Sequence, residues 1–358
     1  MKNTHLLKLI LGLTSPTVLA IFVLFIFIYL KTRVKKSHND IEATEQKFGD
    51  GTETEDLVTF QGGQDLTISD ILDAPGEVIG KSNYGTLYKA LLQRSNSVRL
   101  LRFLRPICTA RVEDLGDVVQ LLGSVRHPNL VPLLGFYAGP RDEKLLIHPF
   151  FRRGNLSQFI HDGNPESHKW SIICRISIGI ARGLDHLHTG LQKPVIHGNI
   201  KSKNIFLDRS YHPFISDFSL HLLLNPTAGQ EMLEASAAEG YKAPELIKMR
   251  DAREEADIYS LGVLLLEMLS GREPIIESPT VVEDFYPPTF MRNAILDRRI
   301  SDLYPSDILR RCGNDNERPV TEECILKFLQ LAMACCSPSP SLRPNIKQVL
   351  SKLEEIVS

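Results

Sequence analysis

Two polar stretches near the middle of the chain carry side chains whose types and spacing can do chemistry. One reads V-I-H-G-N-I-K-S-K-N-I-F-L-D over residues 195–208, and the other reads I-S-D-F-S over residues 215–219. They present an imidazole, an ammonium, an amide and a carboxylate, at His197, Lys201, Asn204 and Asp217. Between them stands Asn199, whose amide is neutral at pH 7 and can hold a hydrogen bond but cannot act as a base. The set can bind polar or charged groups, but position 199 offers no base.

The two stretches resemble the catalytic loop H-R-D-L-K-x-x-N and the metal-binding D-F-G of protein kinases. Five family residues are retained, at His197, Lys201, Asn204, Asp217 and Phe218. Three are replaced, with Gly198 for the Arg, Asn199 for the catalytic Asp and Ser219 for the last Gly. In the family that Asp accepts the proton of the substrate hydroxyl, and general base catalysis contributes roughly 10²–10⁴-fold in rate. The resemblance implies a kinase fold that does not transfer phosphate.

A glycine-containing stretch precedes them in the order that the family shows. Residues 77–90 read E-V-I-G-K-S-N-Y-G-T-L-Y-K-A and resemble the glycine-rich loop G-x-G-x-x-G-x-V between two strands. Gly80 and Gly85 match the pattern, while Ser82 replaces the middle glycine. A side chain at that position is expected to weaken the approach of the backbone to phosphates.

The next strand should carry the family's V-A-I-K. The usual spacing from Gly85 gives Val98-Arg99-Leu100-Leu101, and alternation along a strand puts positions 99 and 101 on one face. In the family that face is the nucleotide cleft, so Leu101 would replace the phosphate-binding lysine and Arg99 would enter the adenine site. A register one residue later offers Arg102 as the cation, but it turns the apolar face of the strand outward.

The family's lysine pairs with a glutamate on helix C. V-R-H-P-N-L-V at residues 125–131 resembles the segment after that helix, and counting back places Val118 at the glutamate position. With Leu101 and Val118 both apolar, the pair would be lost as a unit, which is often neutral or stabilising for a buried ion pair. The alternative is that the neighbouring Asp117 makes the pair.

Later motifs match the structural residues of the family. His148 falls at the gatekeeper position of the strand before the hinge and is interpreted as a packed residue. The activation segment ends in an intact A-P-E, whose Glu245 is expected to pair with Arg343, and Asp257 is expected to brace the backbone of the catalytic loop. The residues that stabilise the kinase fold are thus retained, whereas the residues that carry out its chemistry are replaced.

The resemblance to protein kinases covers about residues 66–358. Within it, the motif sequences are similar to those of plant leucine-rich-repeat receptor-like kinases, without the repeats. That group includes many inactive members. The degenerate catalytic positions are Leu101, Val118, Asn199 and Ser219. The retained positions imply a vestigial ATP/Mg site at Gly80, Gly85, Lys201, Asn204 and Asp217. We expect that the protein requires no cofactor and has no further metal site. Weak ATP/Mg binding is compatible with the retained residues.

An apolar, uncharged segment at residues 9–30 is followed by Lys31, Arg33, Lys35 and Lys36. About 20 such residues span a bilayer, and the basic residues after the segment place the following chain in the cytoplasm. We therefore expect a single-pass helix in the plasma membrane. The alternative is a cleaved signal peptide, for which the apolar run is unusually long. The expected layout is an extracytoplasmic segment 1–8, a transmembrane helix 9–30, a juxtamembrane linker 31–59 and a kinase-like domain 60–358, with an N-lobe over about 60–150 and a C-lobe over about 151–358.

Composition excludes some classes of partner. The formal net charge of -2 over 358 residues does not indicate a nucleic-acid partner. The six cysteines lack zinc-type spacing and are interpreted as reduced core thiols, with a redox switch as the alternative.

The expected fold is α+β, a bilobal protein kinase-like fold with a β-rich N-lobe and a helical C-lobe. The expected function is that of a membrane-anchored receptor-like pseudokinase, a scaffold or allosteric partner of active receptor kinases in signalling. Because Asp217 and Asn204 are retained, the alternative is a weak or atypical ATP-dependent Ser/Thr protein kinase.

Overall fold

The computed structural model describes residues 56–274, 287–297, 303–305, 308 and 321–357. Its N-terminal part is a six-stranded sheet in the order β1-β5-β6-β4-β3-β2, with every neighbouring pair antiparallel. The strands are β1 (Asp56–Thr59), β2 (Gly76–Ser82), β3 (Gly85–Leu92), β4 (Ser97–Leu104), β5 (Gly135–Ala138) and β6 (Lys144–Pro149).

Strand β1 lies at the end of the segment that the sequence suggests as a linker, 31–59. It pairs with β5 from Asp56 to Thr59, and its two central residues, Leu57 and Val58, are half-buried. Pairing with an exposed sheet edge satisfies backbone groups that a linker would leave to water, so the sheet begins earlier than the polar composition suggests.

Both faces of the central strand β4 are buried. Leu100 and Leu104 are 2% and 0% exposed, and Leu101, of opposite orientation, is 4% exposed. A short helix, α1 (Ile68–Leu72), covers the outer face, where its Ile71 packs in one cluster with Leu101. Thr67 caps this helix by accepting a hydrogen bond from the backbone N–H of Asp70 at 3.2 Å.

The C-terminal part is helical, as the kinase-like fold predicts. Its longest helix, α4, has a 3.6-residue apolar period that buries one face, and α6 is buried on nearly all sides. The helices, with α2 of the N-terminal part, are α2 (Gly116–Ser124), α3 (Leu156–His161), α4 (Trp170–Thr189), α5 (Pro226–Ala238), α6 (Glu254–Ser270), α7 (Pro287–Leu296), α8 (Glu322–Cys335) and α9 (Ile346–Val357). The bilobal α+β architecture is therefore confirmed.

A small ladder joins the two polar stretches. Strand β7 (Ile205–Leu207) pairs antiparallel with β8 (Pro213–Ile215), and the N–H of Ser216 donates to the carbonyl of Asn204 at 2.8 Å. The ladder therefore holds the end of the first stretch beside the start of the second.

The predicted membrane span, residues 9–30, lies outside the described residues. Within the part of the chain that the structure describes, no helix combines the length and the apolar character needed to cross a bilayer.

Candidate functional site

A cavity of about 670 Å³ lies where the sheet meets the helical part of the chain. Strands β2, β3 and β4 line one side of it, and the two polar stretches line the other. Lys201, Asn204 and Asp217 reach it from the polar stretches, and Gly80 and Gly85 reach it from the sheet. The structure thus brings together all five residues of the suggested ATP/Mg site.

The residue of β4 that stands at the family's lysine position is Arg102, and not Leu101 as the spacing from Gly85 predicts. Leu100 and Arg102 line the cavity, whereas Leu101 packs on the outer face with Leu66 and Ile71. Arg99 also lies away from the cavity wall, with its guanidinium 3.8 Å from the carboxylate of Asp65. The assignment of positions 99 and 101 to the cleft is therefore wrong, and the register one residue later is confirmed. Helix α1 is the physical reason, because it covers the apolar outer face of β4 and so allows Leu101 to point away from the cavity.

The guanidinium of Arg102 forms an ion pair with Asp217, at 2.7 Å between Nη2 and Oδ2. The two side chains are only 10% and 6% exposed. A charge-assisted hydrogen bond of this length in a site largely shielded from water is among the stronger polar contacts in a protein.

Helix α2 supplies no acid to Arg102. Val118 is half-buried and packs against the main hydrophobic cluster, which Leu101 does not join, so these two side chains do not face each other as expected. Asp117 is exposed, which removes the alternative pairing. Leu122, one turn further along, borders a small apolar pocket beside Arg102 and Asp217. The family's ion pair has kept its cation and lost its acid, and Asp217 has taken the partner's place.

The turn between β2 and β3 closes over the cavity. The hydroxyl of Ser82 donates to the carbonyl of Gly85 at 3.2 Å, across a tight turn that contains Asn83 and Tyr84. Tyr84 is 7% exposed and lines the cavity. Burial raises the pKa of its phenol, so the hydroxyl stays neutral. Sequence reasoning missed this residue, whose aromatic side chain at the tip of the loop was the available signal.

Asn199 is 2% exposed and lies beneath the cavity rather than in its wall. Its N–H donates to His197 Nδ1 at 3.1 Å, and its carbonyl accepts from Asn204 Nδ2 at 2.9 Å. Neither polar atom of its side chain has a hydrogen-bond partner among the described residues. A buried neutral amide at this point cannot take a proton from a substrate.

The backbone of this loop is held by Asp257, as the sequence suggests. Its carboxylate accepts from the N–H of His197 at 2.7 Å, from the N–H of Gly198 at 2.8 Å and from His188 Nε2 at 2.9 Å. Burial raises the pKa of Asp257, but the bond from His188 and the nearby imidazoles outweigh it and hold the pKa below its usual value. The ion pair expected between Glu245 and Arg343 is also present and bidentate, at 2.6 and 2.7 Å.

Two replaced positions adopt left-handed backbone. Gly198 has φ +75°, and a Cβ built on it would lie 2.4 Å from Met249 Cε and 3.0 Å from His221 Nδ1. Ser219 has φ +56°, which costs a non-glycine residue about 1–2 kcal/mol. Its hydroxyl offsets part of that cost by donating to the carbonyl of Ile196 at 2.6 Å. Serine is therefore accommodated where the family has glycine, whereas position 198 is closely packed around a glycine.

The activation segment after Ser219 folds back as helix α5, which sequence reasoning did not predict. Asn225 caps it, accepting from the N–H of Ala228 at 3.0 Å, and donates to the carbonyl of Ile107 at 2.7 Å. Just after the helix, Glu239 contacts Lys201 at 2.6 Å and Lys203 at 3.2 Å. Although burial raises the pKa of Glu239, the two ammonium groups hold it below its usual value.

The cations in the cavity wall are therefore largely neutralised by carboxylates of the same chain. Arg102 is paired with Asp217, and Lys201 is paired with Glu239. The family implies a divalent ion held by Asp217 and Asn204, but here the carboxylate of Asp217 is already bound by the guanidinium of Arg102. The residues present do not fit the metal.

Two histidines near the site make stability depend on pH. Burial lowers the pKa of both His148 and His221 to about 4, from an ordinary value of 6.5. Because the unfolded chain binds their protons first, stability is full above pH 6.5 and falls between pH 6.5 and 4, by about 1–3 kcal/mol for each. We expect the urea midpoint to decrease across this window, and His221→Gln to flatten the decrease.

His161 provides the control of opposite sign. A hydrogen bond from its Nε2 to Glu267, at 2.9 Å, raises its pKa despite partial burial. Its contribution is present below pH 6.5 and is lost as pH rises through the raised value, so His161→Gln should steepen the decrease toward low pH. Equal slopes for the two variants would contradict this assignment.

Comparison with known proteins agrees with this geometry. The family model described as "Protein tyrosine and serine/threonine kinase" matches residues 74–353. The "Putative kinase-like protein TMKL1" of Arabidopsis thaliana is 35% identical over 97% of this chain and 52% of its own length. A "Probable inactive receptor kinase" of the same plant is 33% identical over 90% of this chain and 49% of its own. The chain thus spans about half the length of these curated relatives.

Two solved structures are similar in fold. The pseudokinase domain of BIR2, described as an immune regulator of the RLK/Pelle family, has a TM-score of 0.67 and 30% identity, covering 84% of this chain and 89% of that one. The kinase domain of maize sucrose-induced receptor kinase 1, bound to AMP-PNP, has a TM-score of 0.71 and 29% identity, covering 85% of this chain and 100% of that one. The chain belongs to the protein tyrosine and serine/threonine kinase family, and plant receptor-like kinases, many named inactive, are among its relatives.

Proposed function

We propose that this protein is a receptor-like pseudokinase, which transmits signals by binding other proteins rather than by transferring phosphate. The observation that carries the proposal is Asn199, a buried neutral amide where an active kinase has its catalytic aspartate. Two contacts add support. Asp217 is held by Arg102, and Lys201 is held by Glu239 from the folded activation segment. Phosphoryl transfer depends almost entirely on placed charges, and here these charges neutralise each other.

We expect the purified full chain to show no autophosphorylation above an Asp217→Ala control in radiolabelled Mg-ATP. The physical reason is the joint absence of a base at position 199 and of a free carboxylate for metal at position 217. The control reports contaminating kinases, since it removes the carboxylate that any residual activity would need. Incorporation by the native chain that disappears in the control would favour the alternative, a weak Ser/Thr kinase.

The proposal extends to location and partners. Residues 9–30 anchor the chain in the plasma membrane, with the kinase-like domain in the cytoplasm, and the domain acts there as a scaffold or allosteric partner of active receptor kinases. Support comes from the basic residues after position 30 and from relatives named as receptor kinases. The proposed role requires neither a nucleotide nor a metal.

Membrane fractionation with co-purification tests this role. The full chain expressed in plant cells should sediment with membranes, resist extraction by carbonate and co-purify with the cytoplasmic domain of an active receptor-like kinase. Deleting residues 9–30 should release the chain and reduce the co-purification, whereas Asn199→Asp should leave both unchanged. A chain that stays soluble, or that binds no receptor kinase, would overturn the proposal.

A further inference from the structure

The ion pair between Arg102 and Asp217 has a cause elsewhere in the same lobe. An arginine on β4 that points into the cavity needs a carboxylate, because its guanidinium stays charged at all accessible pH values. Helix α2 presents Val118 and Leu122 toward the interior instead of an acid, and Asp117 is exposed. Asp217 is the carboxylate that Arg102 contacts, at 2.7 Å.

We infer that Arg102 has replaced the divalent cation of the family's site: its guanidinium is the permanent counter-ion of Asp217, and the cleft excludes Mg²⁺ and Mn²⁺. The loss of the acid on helix α2 and the loss of the metal site are then one change with two effects. An arginine freed from an acid at position 118 turns to the metal-binding aspartate and stays there.

Burial makes this exclusion effective. The Arg102 and Asp217 side chains are 10% and 6% exposed, so water and salt screen the guanidinium poorly. A divalent ion at Asp217 would stand next to a fixed positive charge. It would also have to displace a charge-assisted hydrogen bond between the guanidinium and the carboxylate.

Other groups around the pair do not relieve the positive charge. His148 lies in the small pocket beside it and is neutral near pH 7, because burial lowers its pKa to about 4. Glu239 is engaged by Lys201 and Lys203. Tyr84 is kept neutral because burial raises its pKa. Among the described residues, Arg102 is the cation that Asp217 contacts.

The exclusion of metal rests on the proposed pseudokinase function, but it is tested separately, by measuring metal binding. Purified full chain in detergent micelles is titrated with Mn²⁺ alone, and bound ion is measured by the loss of the free Mn²⁺ electron paramagnetic resonance signal. We expect no site at Asp217 in the native chain up to millimolar Mn²⁺. Arg102→Met keeps the apolar length of the side chain and should gain an Mn²⁺ site whose Kd lies at least tenfold below the highest Mn²⁺ concentration tested. Adding Asp217→Asn to Arg102→Met should abolish that site.

Lys89→Met is the matched control. Lys89 also lines the cavity, but it lies on the rim with its side chain 41% exposed, 3.5 Å from Glu77. The same substitution there removes one positive charge without freeing Asp217, so it should create no metal site. A gain of binding in Lys89→Met equal to that in Arg102→Met would show a general charge effect and overturn the inference.

The native chain tests the inference even where Arg102→Met fails to fold. Mn²⁺ binding by the native chain that Asp217→Asn abolishes would overturn it directly. A folded Arg102→Met that gains no site would overturn it as well, because the guanidinium would then not be what excludes the metal. Partner co-purification and the absence of phosphate transfer can each stand or fall independently of these titrations.

Discussion

Asp257→Ala is expected to destabilise the domain by about 3–5 kcal/mol, the usual cost of removing one member of a buried charged network. The side chain is 1% exposed and accepts hydrogen bonds from His188 and from the N–H groups of His197 and Gly198. Alanine leaves these donors buried without a partner. For a domain of this size, that corresponds to a decrease of roughly 6–20 °C in Tm.

Thermal and urea unfolding of the native and substituted chains measure this effect. Asp251→Ala serves as the matched control, because Asp251 belongs to the same segment, but its side chain is 62% exposed and only 3.8 Å from Arg250. It should change stability by no more than about 0.5 kcal/mol. A loss below 1 kcal/mol in Asp257→Ala would show that the catalytic-loop backbone is held by other contacts.

Gly198→Arg, which restores the family's residue, is expected to cost about 2–5 kcal/mol rather than to repair the site. Position 198 has φ +75°, and a Cβ there would lie 2.4 Å from Met249 Cε and 3.0 Å from His221 Nδ1. The left-handed backbone accounts for about 1–2 kcal/mol, and overpacking of this half-buried site adds about 1–3 kcal/mol. Denaturant unfolding of Gly198→Ala and Gly198→Arg separates the Cβ from the rest of the side chain.

Gly163→Ala isolates the backbone contribution. Gly163 has the same φ of +75°, but a Cβ there would meet nothing within 4 Å. Its cost should therefore be the strain alone, and Gly198→Ala should exceed it by the overpacking term. Shortening Met249 to alanine in the Gly198→Ala background should recover part of that excess. Equal costs at the two glycines would mean that the space around position 198 is not limiting.

Much of the fold could be predicted from the sequence, because motif order and short-range signals determine it. The contacts made by Asp257 and Arg343 depend on recognised motifs, and they were confirmed. Each of these motifs indicates a single structural role, so one sequence is enough to predict the contact.

The orientation of strand β4 could not be read in the same way. Leu100, Leu101 and Leu104 are all buried, so the apolar pattern does not distinguish the inner face from the outer face. The deciding contact is with helix α1, about thirty residues earlier in the chain. A strand covered on both sides gives no period-two signal, and counting from a glycine then errs by one residue.

The contacts of the activation segment were also beyond sequence reasoning. Helix α5 has an N-cap at Asn225 and a proline at its first position, which are ordinary helix-start signals inside a stretch that resembles the kinase activation segment. The ion pair of Glu239 with Lys201 joins residues 38 positions apart. Neither propensity nor motif spacing encodes such a contact, because it depends on how the segment packs as a whole.

The packing around Gly198 has a consequence for attempts to rebuild the catalytic loop. Met249 and His221 lie beside this glycine, so a side chain at position 198 requires both of them to shift. We therefore expect that the family's arginine can be restored only together with compensating substitutions at positions 221 and 249, as one coupled change rather than as a single replacement.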